Sequence, residues 1–494
     1  MIPAYLKKEL SILFFIINKE QTSTSEISHE LELPKRTVRE TLSTINTHFE
    51  EHQMLKGFIL IKKNGSVQIQ SAYRTKSLDA AYNLKLQLLK KNTLFNYTIL
   101  LLTRTSLDQK EVIEELFIST SYLNKLTLAL NEFFSPFNFT IAIVEGQYSL
   151  VGNEMNIRLF SFLFLQDSFQ DIEWPFKNIS LESIRDNVPE ELLIDSHKRS
   201  NTKSRALYIL YAILQTRIKN QNYVIQPTNK LIQTLFIIVQ ENFDVSLIFQ
   251  QDKFGSLEKD VKKTEIDYFN FLSRIFISDI IPKKDKINLG RTFSKENHPY
   301  CTLSIEILRA SSVLINVHTS KDDYFLFHYY ITLFNTFYFL VGDTLDSFTS
   351  LFFPPLSYHS HVQNEYMSTI KTNLASLTIS ENHKKFLSNL LYTLFTSEAK
   401  SEVTIYLQLS KDFTASFFIE NRLSNLFNPE QIMITDNYSL SDVVITDTLE
   451  RTTSNKKIFY LDSIDNEKRW KDLLFLIQNT YLDKQNTQKE RIRL

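Results

Sequence analysis

Three cations crowd into five residues at Lys35, Arg36 and Arg39, inside the stretch Thr24 to Phe49 that reads TSEISHELELPKRTVRETLSTINTHF. Guanidinium and ammonium groups placed this way can hold phosphate oxygens and reach base edges in a major groove. For that they need a helix, and the apolar spacing supplies one. Ile27 and Leu31 sit four apart, Leu33 lies in a short break, and Val38, Leu42, Ile45 and Phe49 recur at three- and four-residue steps. The pattern predicts two helices meeting across a tight turn, with Pro34 opening the second and the cations on its first turns. Downstream, Phe58–Gln70 (FILIKKNGSVQIQ) has β-type residues on both sides of Asn64-Gly65, a hairpin signal, and Lys62 and Lys63 make this wing basic.

The unit is duplicated. Lys110–Phe134 lies on Ser25–Phe49 with no gap at an offset of 85, pairing Ile27 with Val112, Leu31 with Leu116, Leu33 with Ile118, Val38 with Leu123, Ile45 with Leu130, Asn46 with Asn131 and Phe49 with Phe134. Phe139–Leu150 then carries two β-rich runs around Glu145-Gly146, a second wing. Ser119 is placed to cap the second reading helix, whose exposed candidates are Ser121, Asn124 and Lys125. Two such copies in tandem favour duplex DNA over a packing role, with the less basic second copy contacting it unequally.

Composition bounds the rest. A chain of 494 residues implies three to five domains. Net charge is −1 overall, but residues 1–76 hold 11 Lys/Arg against 8 Asp/Glu, so any nucleic-acid footprint is local and modest, and a dimer would double it. The one cysteine, Cys301, excludes an intramolecular disulfide and a cysteine zinc cluster and points to the cytoplasm. The N-terminal run Ile12–Ile17 is too short for a signal peptide and reads as a first helix bracing the pair behind it. Phe325–Val341 is marginal for a bilayer and reads as a buried core helix, so no membrane partner is expected. With 7 glycines there is little to cradle phosphates, and no Walker loop, GxGxxG, HExxH or nucleophile elbow occurs, so no enzyme and no cofactor are expected. His29, His48 and His52 read as surface residues on helices. His359 and His361 have the spacing of a metal pair but lack an apparent third ligand, so no metal site is expected.

Past the second wing, Ser204–Lys219, Thr228–Glu241, Tyr324–Val341 and Glu381–Thr396 have apolar residues at helical spacing, in two bundles of similar length. The last segment changes character. Short β-type runs at Val403–Leu409, Gln431–Thr435, Asp442–Thr446 and Lys457–Leu461 alternate with helical patterns at Asp412–Leu426 and Asn466–Leu482, a small parallel α/β unit.

Two winged helix-turn-helix units, then a "GNExxIR" junction at Gly152–Arg158, then a long helical remainder: in this order the chain resembles the Mga/AtxA family of Gram-positive transcriptional regulators, in particular its RofA-like branch. The fold class expected is mostly α and multidomain. Winged units occupy 1–76 and 77–170, and helical bundles 171–285 and 286–400. The resemblance makes these bundles phosphotransferase-system regulation domains, and makes 401–494 an α/β domain similar to enzyme IIB. It implies promoter DNA as partner, a homodimer, control of virulence or surface-protein genes, and phosphorylation by sugar phosphotransferase-system phosphocarriers. Acceptor candidates are His197, His318 and His328, the first flanked by Lys198 and Arg199, which favour an incoming phosphate. A IIB of that type carries a cysteine after its first strand. Leu409-Ser410-Lys411-Asp412 stands there instead, so the fold is expected without its phosphoryl transfer. Two alternatives remain: an RNA-binding antiterminator, although such proteins begin with a small β-rich domain, and an interaction scaffold of the sugar-transport system.

Overall fold

The computed structural model describes residues 4–492, apart from 20, 105–106, 189–200, 241–244, 251–253, 278–279, 312–319, 353–360, 396–402, 411–413, 428–431, 450–455 and 465. Contacts divide the chain into two units. The first holds Met1–Gly152, Ser161–Ser180 and the short segment Leu449–Arg451, and the second holds the rest.

In the first unit, α1 (Ala4–Lys19) buries Leu10, Ile12, Leu13, Ile16 and Ile17 and packs on the second helix of the pair that follows β1 (Gln21–Ser23). That pair is α2 (Thr24–Glu30) and α3 (Lys35–Gln53), and β2 (Ile59–Ile61) and β3 (Ser66–Ile69) complete an antiparallel sheet in the order β1-β3-β2. After α4 (Ser77–Lys90) the plan repeats. It comprises α5 (Thr93–Thr103), β4 (Leu107–Asp108), α6 (Gln109–Leu116), α7 (Thr120–Phe134), β5 (Phe139–Val144) and β6 (Gln147–Gly152), with the sheet ordered β4-β6-β5.

The match at offset 85 reaches the backbone. α2 begins where Ser23 Oγ accepts from Glu26 N at 3.1 Å, and α6 begins where Asp108 Oδ1 accepts from Lys110 N at 2.8 Å. Both turns pass through one left-handed residue, Glu32 and Phe117, each with φ 52. Each is closed by the long bond of a Schellman end, Leu33 N to Ser28 O at 3.0 Å and Ile118 N to Ile113 O at 3.1 Å. Pro34 and Ser119 then occupy the same N-cap position. Pro34 therefore precedes the helix by one residue instead of forming its first turn, because its ψ of 137 is extended.

The wing turns differ from each other. Gly65 N donates to Lys62 O at 2.9 Å and Lys62 N to Ser66 O at 2.9 Å, so the turn is centred on Lys63-Asn64 and Gly65 (φ 84) forms the bulge after it. This corrects the simple Asn-Gly turn expected from sequence. Gly65 O is also the acceptor for Thr24 N at 2.9 Å, which ties the wing to the first residue of α2. In the second copy Glu145 (φ 50) and Gly146 (φ 79) make a two-residue turn of the type whose twist suits a hairpin.

The second unit takes the start of α8 (Glu154–Phe169), followed by α9 (Leu181–Asn187), α10 (Asn201–Lys219), α11 (Lys230–Val239) and α12 (Lys259–Phe276). A further set follows: α13 (Lys283–Phe293), α14 (Pro299–Ala310), α15 (Lys321–Val341), α16 (Thr344–Phe352), α17 (His361–Leu374) and α18 (Glu381–Phe395). α15 buries most of Leu326–Val341 in this set, and among the described residues no single helix is long and apolar enough to cross a membrane. α13 meets α15 at Gly290, where a Cβ would stand 1.8 Å from Phe325 O, so only glycine permits the crossing. The chain closes with β7 (Val403–Gln408), α19 (Ala415–Leu426), β8 (Ile432–Ile434), β9 (Val443–Thr446), β10 (Lys457–Tyr460) and α20 (Glu467–Ile492). All strand pairs are parallel, in the order β10-β9-β7-β8, and every residue of β9 is buried, as befits a strand covered on both faces.

Candidate nucleic-acid interface

α3 buries Val38, Thr41, Leu42, Ile45 and Phe49, and this fixes which residues face out. Lys35, Arg36 and Arg39 are all exposed, and the same face continues through Glu40, Ser43, Thr44 and Thr47. Sequence reasoning stopped at the cations, although steps of three and four residues from Arg36 lead straight to the hydroxyls. Arg36 Nε donates to Glu40 Oε1 at 2.8 Å, and that hydrogen bond and charge hold the guanidinium pKa above its ordinary value. Among the described residues neither Lys35 nor Arg39 has an ion-pair partner. Lys62 and Lys63 are exposed at the wing turn.

On α7 the buried set is Leu123, Leu126, Thr127, Leu130 and Phe134, and Ser121, Asn124 and Lys125 are exposed. Here Ser119 Oγ accepts from Tyr122 N at 3.2 Å, the cap expected of it. Tyr122 and Leu128 share the exposed face and were missed. The second wing carries no lysine at its turn and exposes Ile143, Val144 and Val151. The two copies thus share a frame but present different chemistry, one cationic and hydroxylated, the other with more apolar surface.

The junction motif has a structural meaning. A Cβ on Gly152 (φ 139) would fall 2.5 Å from Asn138 O and 2.6 Å from Phe139 Cα, so the end of β6 can close on the start of β5 only as glycine. Glu154 and Arg158 belong to a buried quartet in the second unit. Arg158 Nε donates to Glu154 Oε1 at 2.9 Å, Arg158 Nη1 and Nη2 donate to Glu265 at 2.5 and 3.0 Å, and Arg217 Nη2 donates to Glu154 Oε2 at 2.7 Å. Burial opposes the Arg158 charge, but Glu265 and Glu154 outweigh it and raise its pKa. Glu265 and Arg217 gave no sequence signal, lying 107 and 59 residues beyond Arg158.

Of the histidines, His197, His318 and His359 lie outside the described residues, and His361 begins α17 with its side chain undescribed. His328 is wholly buried in α15, its Nδ1 3.3 Å from Thr332 Oγ1, and burial lowers its pKa to about 4. A phosphocarrier cannot reach it in this packing. His383, not singled out from sequence, is also buried, with Nε2 2.9 Å from Asn335 Oδ1 and its ring stacked on Tyr338. His29 is exposed, whereas His48 and His52 are half-buried, contrary to their reading as surface residues. Ser410, at the position of the expected cysteine, donates from its backbone N to Asp447 Oδ1 at 2.9 Å, and Lys411 and Asp412 lie outside the described residues.

A helix pair with a capped, outward-facing second helix and a β wing is the architecture of helix-turn-helix regulators of transcription. Residues 81–165 match the family of the Mga helix-turn-helix domain. The chain is also 21% identical over 488 residues, 93% of its own length and 94% of the relative's, to a protein of Streptococcus pneumoniae serotype 4 (strain ATCC BAA-334 / TIGR4) named "Putative trans-acting regulator". The two findings support an Mga-family transcriptional regulator.

Proposed function

We propose that the chain is a sequence-specific DNA-binding regulator of the RofA-like branch, acting in the cytoplasm as a homodimer on promoters of virulence or surface-protein genes. Lys35, Arg36 and Arg39 read the major groove with Ser43, Thr44 and Thr47 behind them, Lys62 and Lys63 hold the phosphate backbone, and Ser121, Asn124 and Lys125 serve the second head. The observation that carries this reading is the residue-for-residue repeat of capped turn and outward helix, each followed by a wing, with every one of these side chains exposed. The two helical sets would act as regulation domains and the parallel α/β unit as an enzyme IIB-like interaction surface. His197 and His318 are the proposed phosphate acceptors, and His328 could join them only after α15 repacks.

A gel shift with duplex promoter DNA and with hairpin RNA tests the reading. Duplex should be retained preferentially, and Arg36→Ala with Arg39→Ala should abolish the shift at physiological salt. Preference for the RNA hairpin would favour an antiterminator. Regulation that is undiminished in the double variant would favour a scaffold that binds no nucleic acid.

A further inference from the structure

The C-terminal turns of α3 carry His48-Phe49-Glu50-Glu51-His52, whose histidines are four apart and share one helix face. One ring nitrogen from each and a Glu51 carboxylate oxygen lie within 4.8 Å of one another. Among the described residues His48 Nδ1 and His52 Nε2 are both buried without a hydrogen-bond partner, an arrangement that costs free energy unless something ligates them. A second element converges on the cluster: Glu9 of α1, more than nine-tenths buried, has its Oε2 without a hydrogen bond among the described residues and 3.6 Å from His48 Nε2. We propose that His48, Glu51 and His52 form a binding site for a divalent metal of the zinc class, in the first winged unit, with Glu9 as the group that orients His48.

The donor set fits that class. Two imidazoles and a carboxylate, with the remaining position left to water, suit Zn²⁺, and two histidines at this spacing on one helix are a recurrent zinc-binding arrangement. Ligand atoms around zinc stand about 3.4 Å apart, and these donor atoms already lie within 4.8 Å of one another. A carboxylate facing the far nitrogen of a ligating histidine fixes its tautomer, the part assigned to Glu9 at His48 Nε2. Glu51 is exposed and gives the ion a route in from solvent. The reading helix would then be braced at its far end by the metal.

The test is titration of the full-length chain, stripped with a chelator, with Zn²⁺ followed by calorimetry and with Co²⁺ followed by its tetrahedral visible spectrum. One ion should bind per chain and raise the unfolding temperature. His52→Gln should abolish both effects, and Glu51→Gln should weaken affinity at least about tenfold, with the circular dichroism of the metal-free chain unchanged. No binding by the native chain, or binding unaltered by His48→Gln and His52→Gln, would overturn the site. Should His52→Gln fail to fold, the exposed Glu51→Gln decides, and unchanged affinity there counts against the proposal.

Discussion

Asn46 and Ile59 exchange a pair of hydrogen bonds, the side-chain amide donating to Ile59 O and accepting from Ile59 N, both at 2.8 Å. A primary amide has the donor and acceptor of a peptide group, so Asn46 docks the first strand of the wing on the reading helix as another strand would. The equivalent Asn131 accepts from Ile141 N at 2.6 Å. Asn46→Ala leaves both polar groups of a buried residue unpaired and should cost about 2 kcal/mol locally, whereas Asn131→Ala should cost about 1 kcal/mol. Hydrogen exchange at the β2–β3 amides should accelerate in the first variant roughly thirtyfold, and unchanged protection would show that the wing is held elsewhere.

The pair Arg36–Glu40 is nearly free of the protein, with side chains 90% and 62% exposed, so it adds little stability but offsets one of the three cations on the reading face. Glu40→Gln should tighten duplex binding several-fold at low salt and steepen its salt dependence. Arg39→Ala should make the dependence of log affinity on log salt shallower by about 0.9 if that guanidinium neutralises one phosphate. If Glu40→Gln instead loses sequence preference, the carboxylate is reading a cytosine amino group.

What was legible in the sequence was periodic or repeated. The apolar spacing placed α3, α10 and α15 close to their observed bounds, and the gap-free match between Asn46 and Asn131 reflected a shared hydrogen bond. What was not legible depends on approach in space. Nothing local marks Gly290 as the point where a second helix comes within 1.8 Å of a Cβ, or joins Glu265 to Arg158. His48 read as a surface residue because its neighbour Glu9 lies 39 residues earlier on another helix. The wing turn was misplaced by one residue because Gly65 is recruited by Thr24 N, again a partner remote in sequence.

The quartet of Arg158, Glu154, Glu265 and Arg217 balances two positive and two negative charges where all four residues are buried. Glu265→Gln removes half of Arg158's compensation and should destabilise the second unit by about 3–5 kcal/mol, since an uncompensated buried charge costs more than the pair gained. The double variant Arg158→Met with Glu265→Met keeps the Glu154–Arg217 pair and should lose less than Glu265→Gln alone. Denaturant unfolding checks the order, and a double variant worse than the single would show that Asn222 O and Val224 N depend on these side chains more than on charge balance.

Acid should loosen the second unit through His328 and His383, both lowered by burial from 6.5 to about 4. Unfolded, these rings take up a proton as pH falls through 6.5, while folded they stay neutral until about 4. Their contribution is therefore fully present above pH 6.5 and is lost between 6.5 and 4, by up to about 3 kcal/mol for each. Asp267 works the other way. Burial, against the pull of Lys263 and Gln240, raises its pKa from 3.8 to about 6, so the folded chain binds its proton first and gains stability as pH falls through that window. Two losses against one gain leave a net decline, and His383→Gln, which can still donate to Asn335, should flatten it. The check is the unfolding midpoint of native and variant chains at pH 7 and pH 4.5, where the variant should lose less. Equal losses would mean that His383 is already protonated inside the fold.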